Sequence, residues 1–173
     1  MTGRYSGEYG RCTKGDQTLP LDYNTAMRTL AIDLGSKRIG LALSDEGGKF
    51  ATPYDVLIVS SRADTLDAIL KLASKEAVER FVVGLPLNMD DTVGPAARNT
   101  VEWAKGLAQR SGKPVVFVDE RLSSFAAEQR LNERKRAGER MTRGGKKKQL
   151  DALAAAMFLQ EFLDGKLPAI EVQ

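Results

Sequence analysis

The chain has 173 residues, 42% of them hydrophobic and 28% charged, with a net charge of +3, which fits one globular domain with a real core. It contains no histidine and a single cysteine, Cys12. These absences exclude histidine-based acid–base chemistry, Ser-His-Asp and Cys-His nucleophiles, histidine- or cysteine-held zinc, and any intrachain disulfide. Carboxylates, hydroxyls, Lys, Arg and a hard metal ion are left as possible actors.

Residues 1–26 open with a charged, glycine-rich stretch and predict a flexible extension, with Leu19-Pro20-Leu21 able to dock on the body. No apolar run suits a signal peptide or a membrane span, so a cytoplasmic protein without membrane contact is expected. A domain over residues 27–166 and a tail over residues 167–173 complete the expected organisation. Thr29–Asp33 and Ile39–Ser44 are short apolar runs separated by a turn at Gly35-Ser36-Lys37-Arg38, and a third strand is predicted within Phe50–Val59. Such short connections allow only antiparallel neighbours. Leu66, Ile69, Leu70, Ala73 and Ala77 then form a helical stripe. Phe81–Gly84 is a short buried strand, and Pro95 starts a helix running to about Arg110. Trp103 on that helix is expected to pack in the core or at an interface. Val115–Val118 is the fifth strand, Leu122–Leu131 begins another helix, and a last helix spans about Gln149–Leu163. The order predicts an α/β fold: a five-stranded mixed sheet, three antiparallel strands followed by βαβ crossovers, with helices on both faces.

Charge is unevenly spread. Between Arg134 and Lys148 lie eight basic residues, Arg143, Lys146, Lys147 and Lys148 among them, and one acid. A local +7 stands against a mildly acidic remainder, which is the pattern of a polyanion binder. Gly138, Gly144 and Gly145 within this segment predict a mobile arm that orders on a phosphate backbone.

Three carboxylates stand where packing alone would not put them. Asp33 ends the first apolar strand. Glu120 follows the fifth, on the face of Val116 and Val118 by alternation. Asp151 shares a helical stripe with Ala154, Ala155 and Phe158. Each acid alone has an ordinary structural role as a turn, ion-pair or first-turn residue. Together they come from elements expected to be adjacent, and three convergent carboxylates suit Mg²⁺ or Mn²⁺. Two such ions can activate a water and stabilise the leaving oxygen at a phosphodiester. Lys37 and Arg38 flank Asp33 and either hold phosphates or are simply solvated, while Gly35 and Gly40 either form an ordinary hairpin turn or let the turn after Asp33 approach a phosphate backbone.

These residues carry a specific resemblance. Ile32-Asp33-Leu34-Gly35-Ser36-Lys37-Arg38-Ile39-Gly40, Val83-Gly84-Leu85-Pro86-Leu87-Asn88-Met89, Val118-Asp119-Glu120-Arg121-Leu122-Ser123 and Leu150-Asp151-Ala152-Leu153-Ala154-Ala155 resemble, in order and spacing, the YqgF/RuvX family. This is a family of Holliday junction resolvase-like nucleases of ribonuclease H-like fold, with bacterial members tied to pre-16S rRNA maturation. The resemblance implies that Asp33, Glu120 and Asp151 are metal-binding catalytic acids, and that Asn88, Arg121 and Ser123 line the substrate side. It implies a two-metal nuclease acting on pre-rRNA in ribosome biogenesis, with branched DNA as the alternative substrate, as a monomer or homodimer. Ser124 stands where the family usually has Thr, and Asp91 where Gly is expected. Asp33-Leu34-Gly35 also resembles the first phosphate loop of actin- and hexokinase-type ATPases, but those need two such domains and this length holds one. A nucleic-acid binder without catalysis is the remaining rival.

Overall fold

The computed structural model describes residues 26–59, 61–88, 92–119 and 143–170, with side chains from Leu150 onward in the last stretch. Eight elements follow in order: β1 (Thr29–Leu34), β2 (Arg38–Ser44), β3 (Ala51–Ile58), α1 (Arg62–Lys75), β4 (Arg80–Leu85), α2 (Pro95–Ser111), β5 (Val115–Asp119) and α3 (Arg143–Leu163). The helix expected from Leu122 lies outside the described residues.

The strands form one sheet in the order β3-β2-β1-β4-β5. β1, β2 and β3 pair antiparallel, while β4 lies parallel to both β1 and β5. This is the mixed sheet that the connection lengths predicted. Its parallel half brings the C-terminal ends of β1, β4 and β5 to one edge, where ligand sites of such sheets form.

Helix boundaries follow local chemistry. Ser61 caps α1 by accepting a hydrogen bond from the Asp64 amide, which satisfies one of the first-turn donors. Pro95 is the first residue of α2, and Gly112, at φ 66°, ends it in the left-handed conformation.

Two cores sandwich the sheet. On one face Leu30, Ile32, Ile39, Leu41, Phe81 and Val83 pack against α1 and α2, with Trp103 buried among them as core packing. On the other face Ala31, Ala42, Val82, Val116 and Val118 meet Ala155, Phe158, Leu159 and Phe162 of α3. The two alanines under α3, where the opposite face carries Leu and Ile, let the helix backbone approach the sheet closely. At the far end of α3, the Gln160 side chain accepts from the Ala51 amide and donates to the Lys49 carbonyl, both at 2.9 Å. Buried Arg80 ties the starts of β4 and β1 together through Thr29 Oγ1, and its guanidinium lies 4.9 Å from the centroid of the Phe162 ring.

α3 begins at Arg143, six residues before the position expected from the apolar stripe. Arg143 and Lys146–Lys148 are therefore helical in backbone, and the expected arm does not extend through them. Lysine is a good helix former, and a helix propagates cheaply from the buried apolar turns downstream, which offsets the cost of Gly144 and Gly145.

Candidate active site

Asp33 is the fifth residue of β1 and lies directly opposite Gly40 of β2. Residues opposite one another in an antiparallel pair share a face, as do residues two apart on a strand. Asp33, Gly40 and Arg38 therefore share the face that α3 covers, along with Ala31 and Ala42.

Gly40 decides where α3 can sit. A Cβ at this position would fall well inside contact distance of the Asp151 carbonyl oxygen and within 3.0 Å of the Ala152 amide nitrogen. The helix backbone rests on β2 at the one residue without a side chain. Its first acid is thereby set beside the end of β1. The clearance expected at Gly40 for a phosphate is thus taken up by the helix. At Gly35 the space is taken by the turn itself, since a Cβ there would lie 2.5 Å from the Arg38 carbonyl oxygen.

The Arg38 Nε donates to Asp151 Oδ2 at 2.7 Å, with both side chains partly buried. Asp33 has no hydrogen bond or ion pair from its carboxylate among the described residues. Burial pushes its carboxyl up to about 6 from 3.8, and the neighbouring negative charge of Asp151 adds to the shift. A carboxyl in this setting is short of a cation.

The other expected site residues fall as follows. Lys37 is exposed in the β1–β2 turn. Asn88 lies three residues past β4, at the same sheet edge as the end of β1, and its side-chain amide donates to Thr92 Oγ1 at 2.8 Å. Gly94 backs onto the Asn88 side chain, whose Oδ1 would be 2.8 Å from an added Cβ. Asn88 is therefore held against the start of α2. Glu120, Arg121 and Ser123 lie outside the described residues, as do the side chains of Arg143, Lys146, Lys147 and Lys148. β5 ends at Asp119, the residue before Glu120, and Val116 and Val118 point to the α3 face.

Two features escaped sequence reasoning. The Arg38–Asp151 pair spans 113 positions of chain and leaves no local signal. Gly40 was readable in principle, because a glycine inside an apolar strand marks a close backbone approach. What approaches it is set by tertiary structure.

Residues 27–165 match the family model described as RuvX, Holliday junction resolvase. The chain belongs to the RuvX family. Among curated relatives, a protein of Anaeromyxobacter sp. (strain K) named "Putative pre-16S rRNA nuclease" is 47% identical over 142 residues, covering 82% of this chain and all of that one. A protein of the same name from Acidiphilium cryptum is 42% identical over 79% of this chain and 84% of its own length. Another, from Caldanaerobacter subterraneus subsp. tengcongensis, is 39% identical over 81% and 98%. Among solved structures, T. thermophilus RuvC in complex with Holliday junction substrate superposes with a TM-score of 0.51 at 18% identity, covering 83% of this chain and 99% of that one. This likeness shows the ribonuclease H-like fold. In this fold Asp33 stands near the end of β1, with Asp151 of α3 seated against Gly40 of the neighbouring strand.

Proposed function

We propose that this RuvX family member is a metal-dependent nuclease that hydrolyses phosphodiester bonds in pre-16S rRNA through a domain spanning residues 27–166. The observation that carries the reading is the Asp33 carboxyl: partly buried, without a hydrogen-bond partner among the described residues, and pushed up in pKa in part by a second carboxylate, Asp151. Two carboxylates close enough to repel fit a hard divalent cation, which offsets that repulsion and the desolvation of Asp33. The relatives' shared name supports the substrate.

Asp33 and Asp151, with Glu120 from the residue after β5, would hold Mg²⁺ or Mn²⁺. When bound, a pair of such ions supplies an activated water and charge stabilisation at the leaving oxygen. The chain's own residues supply the rest. Asp33, partly buried near the end of β1, would meet the ion as its carboxylate. Lys37, Asn88, Arg121 and Ser123 bind phosphates on either side of the scissile bond. Arg143, Lys146, Lys147 and Lys148, at the start of the helix that carries Asp151, extend that contact along the backbone by charge attraction.

A second reading, resolution of branched DNA, is favoured by the description of the matching family model. A cleavage assay with a labelled pre-16S 5′ leader RNA and a four-way DNA junction, each with Mg²⁺ and with EDTA, separates the two. Metal-dependent cleavage of the RNA supports the proposal, and cleavage of the junction alone transfers it to DNA. No cleavage of either leaves a non-catalytic binder.

A further inference from the structure

The two acids at the sheet edge are not treated alike. Asp151 has a cationic partner in Arg38, while Asp33 has none among the described residues. The Arg38–Asp151 contact is made through Nε alone, and the two terminal nitrogens of the guanidinium bond to no other described residue. A single-point contact lacks the bidentate fork that makes arginine–carboxylate pairs hard to separate. Arg38 is also the first residue of β2, directly after the exposed turn at residues 35–37, so its side chain has room to turn outward. Asp151 cannot move in the same way, because its backbone is seated on Gly40.

We infer that Arg38 is a built-in counter-ion for Asp151 in the metal-free protein, and that a divalent cation must displace it to be held by Asp33 and Asp151. The inference rests on the metal-site reading above and adds an order of events to it. Oδ2 is occupied before metal arrives, and of the two partners it is the arginine that leaves. Without metal, the pair keeps the site from holding two adjacent uncompensated carboxylates. With metal, the same pair is a competitor, so the site's affinity is set partly by a residue that need not be a ligand.

The test measures Mn²⁺ binding by titration calorimetry in the full chain for the wild type, Arg38→Gln, Arg38→Lys and Asp33→Asn. Arg38→Gln is expected to bind Mn²⁺ about two- to fivefold more tightly, the scale of coupling in a partly exposed ion pair. Arg38→Lys, which keeps the charge, should return most of the way to the wild-type value. In the wild type, the Arg38 Nε–Hε resonance should move on Mg²⁺ addition, with a midpoint matching the calorimetric one. That arm needs no variant and holds even if a substitution disturbs folding. Asp33→Asn is the control for the site: Mn²⁺ binding equal to the wild type would refute the metal-site reading itself. If Asp33→Asn loses binding while Arg38→Gln binds no more tightly than the wild type, the counter-ion role alone is overturned. A resonance that Mg²⁺ leaves in place has the same meaning.

Discussion

Replacing Asp33 with asparagine should stabilise the metal-free protein while abolishing cleavage. The Asp33 carboxyl is pushed up to about 6 from 3.8 by burial and by Asp151. Below about pH 3.8 the group is protonated in folded and unfolded states alike and contributes nothing. As pH rises through this interval the unfolded chain ionises first. The folded state therefore loses stability until about pH 6, above which the loss is complete. At 1.36 kcal/mol per unit the full loss is about 3 kcal/mol. Asparagine removes it but leaves a partly buried amide short of partners, at a cost of about 1–2 kcal/mol. The net gain at pH 8 in EDTA should be about 1–2 kcal/mol, which at roughly 2–4 °C per kcal/mol raises Tm by several degrees. Differential scanning calorimetry of wild type and variant at pH 3.5 and pH 8 checks the sign. The gain should shrink or reverse at the lower pH. A variant less stable than the wild type at pH 8, or a gain equal at both pH values, would refute the reasoning.

Other substitutions probe the frame around the site. Gly40→Ala drives a methyl group into the Asp151 carbonyl, so α3 must lift; unfolding in urea should show a destabilisation of about 1–3 kcal/mol, with cleavage abolished alongside. Glu120→Gln should leave the melting temperature near the wild-type value and remove Mg²⁺-dependent turnover, read in a single-turnover cleavage assay. Replacing Lys146, Lys147 and Lys148 together with glutamine should weaken binding to all sequences alike. The log–log salt slope should flatten by roughly 2–3 units, at about 0.7–0.9 for each phosphate no longer neutralised. An unchanged slope would remove these lysines from the nucleic-acid interface.

The strands and the helices of the parallel half were legible because each carries its own periodicity and its own stop signals. Pro95 marks the start of α2 in sequence and in structure alike, and the helix ends at Ser111, one residue past the expected Arg110. Asp33 and Asp151 were legible as candidates because an acid at the end of an apolar strand, or on an apolar helix stripe, contradicts its surroundings. Their juxtaposition was expected from adjacent elements, but what produces it was not legible. It depends on Gly40 admitting the helix backbone and on Ala31 and Ala42 keeping that face of the sheet low, facts that exist only once α3 crosses β1 and β2. Arg38 illustrates the same limit. From sequence it is a basic residue in a turn, suited to a phosphate; in the fold it is bound to an acid 113 residues away. The start of α3 was misplaced because the apolar stripe reports the buried part of a helix. The turns before it, rich in lysine and carrying two glycines, leave no apolar period in the sequence.

The central claim is that Asp33 and Asp151, with Glu120, hold a divalent cation that contacts the scissile phosphate of pre-16S rRNA. A leader RNA carrying a single phosphorothioate at the mapped cleavage position tests it most directly, because sulfur binds Mg²⁺ poorly and Mn²⁺ better. Cleavage of this RNA in Mg²⁺ should fall well below that of the unmodified RNA, and Mn²⁺ should restore it for the wild type but not for Asp33→Asn. Equal cleavage of the two RNAs in Mg²⁺ by the wild type, or no recovery in Mn²⁺, would contradict the claim.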